Sequence, residues 1–299
     1  SLGLVGSEMC IRDRFLSYSM LNVCDLSTDG CFTLGATVGA VVAIAGHPYL
    51  SIAAAMAAGI ASGFITAILQ TKMGINSLLA GIIVNTGLYS INIAVMSGSS
   101  ILNMNKTDTV FTKMAALVKG TPVARQSKLF VAIIAVAAVA VILGLFLKTR
   151  LGLAIRATGD NPDMVRSSSV NPAFTTIIGL CVANSFTALS GCLLAQSQRS
   201  VNIDIGTGMV TIALASLLIG GVFLGRKKMP LRIFGMVLGA FIFRLIYTIA
   251  LRFDMPAFML KFVSSVIVIA AIATPYFKKQ LPLLKRRIQT RSGRRKADA

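Results

Sequence analysis

Apolar positions fall in long blocks rather than alternating with polar ones, at about residues 32–46, 50–70, 77–97, 128–148, 173–197, 208–225, 231–250 and 256–274. All but the first come close to the roughly 20 residues that an α-helix needs to cross the hydrocarbon core of a bilayer. The pattern predicts an all-α fold: a polytopic membrane helix bundle of about eight transmembrane segments, one of them short or broken.

Between two of these blocks, GLAIRATGDNPDMVRSSSVNP (residues 152–172) has the texture of a segment built for water. It predicts a break at Gly159, then a short helix over about 162–168 with Asn161 as its cap. Pro162 at the first helical position and Asp163 in the positive first turn are both favourable choices. A helix this short is unstable alone and must dock on something. The residues themselves fit a loop element resting on lipid headgroups equally well.

A second interruption, DLSTDG at residues 25–30, precedes the short first block. Ser27 and Thr28 read as natural caps, and Gly30 permits a sharp backbone. One reading is a discontinuous helix that starts inside the protein, where its N–H groups attract an anion and Asp25 and Asp29 attract an ammonium group. The other is a surface loop with two solvated aspartates.

Inside the blocks, Gly81, Asn85, Tyr89 and Asn92 share one helical face, as do Cys181, Ser185, Ala188 and Cys192, with Asn184 beside them. Such stripes face the bundle interior or a cavity, because lipid would leave their polar groups unpaired. A solute pathway and plain helix-to-helix hydrogen bonding both account for them. Glycines four apart, Gly35 with Gly39, Gly59 with Gly63 and Gly235 with Gly239, suit close helix packing in lipid. Arg244 costs about 2.5–3.5 kcal/mol at a helix centre. Each Leu, Ile, Phe or Val around it returns about 0.3–0.6 kcal/mol, so the block 231–250 still inserts. Arg244 is expected to pair inside the bundle, with Asp25 or Asp29 or a substrate carboxylate, or to snorkel outward.

Composition supports the membrane reading, with 55% hydrophobic and 13% charged residues. The net charge of +19 does not indicate nucleic acid, because the basic residues sit in short loops and the tail. Lys148, Arg150, Arg156 and Arg166, then Arg226, Lys227, Lys228 and Arg232, then the tail from Lys278, all thread to one side. That side is the cytoplasm by the positive-inside rule, with phospholipid headgroups as the contact of these cations. Lys106, Lys113, Lys119, Arg125 and Lys128, in and beside the loop 98–127, are exceptions, and longer loops obey that rule poorly.

The chemistry of catalysis is missing from the sequence. The five cysteines form no CxxC pair, His47 is the lone histidine in a GHPY turn, and Glu8 is the lone glutamate. No metal site or catalytic residue is expected. No GxxxxGK[ST] loop occurs, so any ATP is expected to be bound by a partner subunit. Residues 1–14, SLGLVGSEMCIRDR, break the apolar texture. They read as a non-native leader or as a polar native tail.

TRLGLAIRATGDNPDMVRSSSVNPAF, with its G-x-x-x-R-A-x-G-x-N core, resembles the cytoplasmic coupling loop of ABC importer permeases of the branched-chain amino acid and ribose type. DLSTDGCFTLGA and FRLIYTIALRFDMPAFMLKFVSSVIVIAAIATP are similar to a subgroup linked to tryptophan or other amino acids. The resemblance covers about residues 15–277. It implies a permease domain over 15–277 with a coupling loop at 149–172, followed by a basic cytoplasmic tail at 278–299. It further implies that Arg156, Asn161, Asp163 and Arg166 contact the ATPase. The implied partners are ABC ATPase subunits, an extracytoplasmic substrate-binding protein and a second permease subunit, as a homodimer, in the bacterial inner membrane. The solute pathway would draw on Asp25, Asp29, Asn85, Tyr89, Asn184 and Arg244. Two departures stand out. Ser167, Ser168 and Ser169 replace the usual alanine and glycine, and a complete member carries one more helix before Phe15. An ATP-independent transporter or channel, and a sugar or nucleoside permease of the same family, are the alternatives.

Overall fold

The computed structural model describes residues 25–105, 107, 109–112, 137, 139 and 141–224, with side chains as far as 216, and isolated positions between 238 and 269. Its elements are helices α1 (Thr28–Ile44), α2 (Pro48–Thr71) and α3 (Ser77–Val95), strand β1 (Ile101–Asn103), helices α4 (Arg150–Asp160), α5 (Pro162–Ser167) and α6 (Pro172–Gln198), strand β2 (Ser200–Asn202), a 3₁₀ turn (Ile203–Gly206) and helix α7 (Met209–Leu224). Residues 141–148 are also helical. The chain divides into two units, Ser1–Ala213 and Leu214–Ala299. In the second, the described residues are the end of α7 and scattered helical positions.

The sequence marks the starts of these helices. Asn76, Asn171 and Thr149 accept N–H groups from Leu78, Ala173 and Gly152 at 3.0, 3.0 and 3.2 Å, capping α3, α6 and α4. Proline, which lacks the N–H that a first turn leaves unpaired, opens α2, α5 and α6. The ends are marked by residues of positive φ: Gly46 after α1, Gly74 after α2 and Arg199 after α6.

Among the described residues three helices, α2, α3 and α6, are long and apolar enough to cross a membrane. At 24, 19 and 27 residues they measure about 36, 28 and 40 Å, against a hydrocarbon core of about 30 Å. Helix α1, with 17 residues, reaches only about 26 Å. The expected short first segment is therefore present. Much of the blocks 231–250 and 256–274 lies outside the described residues, as does Arg244.

Helix α6 is the centre of the first unit, flanked by α2 and α1. The glycines anticipated from their spacing set the separation. A Cβ on Gly35 or Gly59 would run into α6 at Ala188, and one on Gly63 would meet the Leu180 carbonyl at 2.6 Å. From the other side, a Cβ on Gly191 would strike the Phe32 carbonyl. Gly235 of the third pair lies outside the described residues. Close backbone approach of this kind is how helices gain van der Waals contact where lipid offers no hydrophobic drive. The outer faces of α2 and α3 leave Ile60, Phe64, Ile65, Ile82, Ile83 and Ile91 exposed, surfaces that suit hydrocarbon.

A two-stranded antiparallel ribbon, β1 with β2, ties the chain after α3 to the chain after α6, with Leu102 opposite Val201. Three-residue strands leave no trace in a block pattern, and the ribbon was not expected. Beneath it, Met96, Met104, Val201 and Ile203 pack on Ala36, Ala40 and Ala43 of α1 and Ala195 of α6.

Candidate functional site

Two places gather the residues singled out in the sequence. The first is the α4–α5 elbow. Thr149 caps α4, which buries Gly152, Ile155 and Thr158 along one face and leaves Arg156 exposed. The expected break at Gly159 does not occur, because α4 continues through it to Asp160. The turn comes at Asn161, whose backbone is extended at φ −158° and ψ 101°. A residue before proline is pushed out of the helical region by the proline ring, so Pro162 rather than Gly159 sets the break.

Asn161 then caps α5, its Oδ1 accepting the N–H groups of Asp163 and Met164, both at 3.1 Å. Asp163 lies in the positive first turn and Arg166 in the negative last turn, both favourable to the helix dipole. Arg156, Asn161, Asp163 and Arg166 are all exposed. Met164 is 67% exposed while Val165 beside it is 6% exposed, so α5 rests on one buried apolar contact and presents the rest of its surface outward. The Thr158 and Thr175 hydroxyls, 2.8 Å apart, pin α4 to α6. Ser167 and Ser168 both donate their hydroxyls to the Met164 carbonyl, and Ser169 adopts φ +62°, so the three serines terminate α5.

The second place is the buried start of α1. Asp25, Ser27 and Thr28 are at most 1% exposed. Ser27 makes no side-chain cap bond and is itself helical. The capping role falls instead to Asp25, whose Oδ1 accepts the Ser27 N–H at 2.8 Å, because the helical backbone begins one residue earlier than the caps read from the sequence. Asp25 Oδ2 accepts from the Asn184 amide of α6 at 3.3 Å, and Ser27 Oγ accepts from Thr66 of α2 at 3.3 Å.

One turn further along, Asp29 reaches across the fold. Its two carboxylate oxygens accept the N–H groups of Val210 at 2.9 Å and Gly208 at 3.1 Å, so it caps the start of α7 from a distant part of the chain. Beside this link, a cavity of about 280 Å³ opens between α1, α3 and the segment around the 3₁₀ turn. Asp29, Gly30 and Thr33 line it from α1, Asn85, Thr86, Tyr89 and Asn92 from α3, and Ile203 and Thr207 from the third wall.

The polar face expected on α3 therefore turns to α1 and the cavity. A Cβ on Gly81 would come within 2.7 Å of the Leu26 nitrogen, and one on Gly30 within 2.6 Å of Asn85 Oδ1. Asn92, 1% exposed, donates Nδ2 to the Gly30 carbonyl at 3.3 Å, and its Oδ1 has no partner among the described residues. Of the sequence candidates, Asp29, Asn85 and Tyr89 meet at this cavity, Asp25 and Asn184 pair outside it, and Arg244 lies outside the described residues. Thr33, Thr86, Ile203 and Thr207 were not foreseen. Two members of the stripe on α6 pack against glycines, Ala188 against Gly35 and Gly59 and Cys192 against Gly39. Cys192 and Gln196 also bond to Ser51 of α2, the Gln196 amide at 2.6 Å from the hydroxyl. Among the described residues no group of three His, Cys, Asp or Glu side chains could hold a metal ion.

Comparison with known proteins gives a consistent family. Residues 15–272 match the model of the branched-chain amino acid transport system permease component. The chain is 31% identical to the tyrosine transport system permease protein of Clostridioides difficile over 261 residues, 87% of this chain and 84% of that protein. It is 28% identical to the ribose import permease protein RbsC of Escherichia coli K12, over 73% of this chain and 66% of that protein. It is 23% identical to the autoinducer 2 import system permease protein LsrC of Yersinia enterocolitica, over 90% and 69% of the two chains. No solved structure matches.

Proposed function

The chain belongs to the ABC importer permease family of branched-chain amino acid transport systems, and from that premise we propose that it is the membrane subunit that passes an amino acid inward, driven by partner ATPases. It is a transport permease component and not an enzyme. In this reading it carries about eight transmembrane segments within residues 15–277, with the basic tail from residue 278 in the cytoplasm beside anionic lipid. Two copies form the channel, an external binding protein delivers the solute, and ATP is bound by the partner subunits. The amino-acid substrate is supported by the likeness to the tyrosine permease. A sugar is the second reading, supported by the likeness to the ribose permease.

The observation that carries the ATPase contact is the α4–α5 elbow. It exposes Arg156, Asn161, Asp163 and Arg166 together, yet is fixed to α6 through Thr158 and Thr175. A short helix that moves as one body can pass a partner's motion to the membrane helices. Replacing both Asp163 and Arg166 with Ala is expected to lower ATPase co-purification by roughly tenfold, a loss of about 1.4 kcal/mol, with the chain still inserted in the membrane. Undiminished co-purification would sink the docking reading.

A further inference from the structure

The cavity between α1, α3 and the 3₁₀ segment is unusual in which of its hydrogen-bonding groups are already used. Thr33 donates its hydroxyl proton to the Asp29 carbonyl at 3.1 Å, Thr86 to Ile82 at 2.9 Å and Thr207 to Asp204 at 2.8 Å. A hydroxyl has one proton and two lone pairs, so each of these three oxygens can offer the cavity only an acceptor. Asn92 is fixed in the same sense. The Gly30 carbonyl can only accept, so the Asn92 amide must turn its nitrogen there. That leaves Oδ1 as the end without a partner among the described residues, on a side chain 1% exposed. An unmet acceptor buried this deeply costs roughly 1–3 kcal/mol, so a donor is wanted there. The Asp29 carboxylate also lines the cavity, both of its oxygens already accepting N–H groups from Gly208 and Val210. Among the described lining residues, the side-chain donors that remain are the Asn85 amide and the Tyr89 hydroxyl.

From this inventory we infer that the cavity binds the ammonium group of a small primary-amine solute, held by Asn92 Oδ1 and the hydroxyl oxygens of Thr33, Thr86 and Thr207. An ammonium group brings three donors and no acceptor, the complement of such a wall. A neutral polyol brings a lone pair with every proton and leaves the acceptor surplus unmet. The volume of about 280 Å³ lies just below the range of about 300–1,000 Å³ typical of drug-sized ligands, which suits a single metabolite. The inference rests on the importer reading and narrows it to an amine-bearing solute that meets the membrane subunit itself, in addition to any external binding protein.

The test is equilibrium binding to the full chain with its ATPase in lipid nanodiscs. Tyramine, 4-ethylphenol, which differs from it only in lacking the amine, and D-ribose are the probes. Tyramine is expected to bind at least tenfold more tightly than either of the others. Asn92→Leu is expected to weaken tyramine by tenfold or more. Thr86→Val, on an exposed position where folding is not at stake, is expected to weaken it about threefold, the share of one acceptor among several. Equal binding of 4-ethylphenol or ribose, displacement of tyramine by millimolar KCl, or unchanged binding in both variants would each overturn the inference. ATPase co-purification on the same preparations separates the two readings. Intact association without amine selectivity removes only the ammonium site, and amine selectivity without association removes only the ATPase reading.

Discussion

The α6 seam and the α4–α5 elbow are joined by a few residues of chain, yet they are built on opposite rules. Along α6 almost every side chain from Leu180 to Gln196 is buried, and glycines on both sides bring backbones into contact. In α5 one residue, Val165, is buried, and the order of the segment comes from side chains that bond their own backbone: Asn161 at its start, Ser167 and Ser168 at its end. Packing in the seam is collective, so a single added atom is resisted by two helices at once. In α5 the capping contacts are local, so losing one loosens only the turn it serves. The second arrangement suits the partner contact proposed for the elbow, and the first suits the bundle that holds it in place.

That contrast can be broken most forcefully at Gly191. Valine there is expected to cost about 3 kcal/mol or more, because backbone on both sides would have to separate. It should appear as a collapse of the monodisperse fraction on size exclusion in detergent. Ala157→Leu at an exposed position of α4, which also adds three carbons, is expected to stay within about 0.5 kcal/mol. Similar losses at both positions would mean that the elbow is as tightly packed as the seam.

Asn161→Ala sharpens the other side. It removes one acceptor from two N–H groups, and cap losses of this kind cost about 1 kcal/mol. Hydrogen exchange within α5 should accelerate roughly fivefold with the thermal midpoint of the whole chain unmoved, and a shifted midpoint would show that α5 supports the bundle. Thr158→Val is the smallest. Thr175 keeps its bond to the Pro172 carbonyl, so the expected loss is about 0.5 kcal/mol, read as faster exchange at the α4–α6 contact.

Much of this was legible in the sequence because the signals are local. Asn76, Asn161 and Asn171 each precede a helix that starts with Ser or Pro, and the glycine pairs on α1 and α2 reveal their packing by spacing alone. The face of Asn85, Tyr89 and Asn92 follows from helical periodicity. Helix α4 was missed because Gly159 read as a breaker and its buried stripe of Gly152, Ile155 and Thr158 contains only one large apolar side chain. It was nonetheless findable from the Thr149 cap and that three-residue spacing. The far wall of the cavity was not findable. Thr207 joins Asn85 and Asn92 only because the chain folds back after the ribbon, and the bond from Val210 to Asp29 spans 181 positions. No local preference encodes a contact at that range.

Asn161 ends α4 and begins α5 with nothing in between: its N–H closes the last turn of one helix at 2.9 Å from the Ala157 carbonyl, while its side chain opens the next. In the proposed contact with an ATPase, the lack of a spacer residue here is what would let a push on α5 reach α4. A single added glycine at that corner would turn a rigid bracket into a slack tether, leaving both pieces folded and their mechanical connection gone.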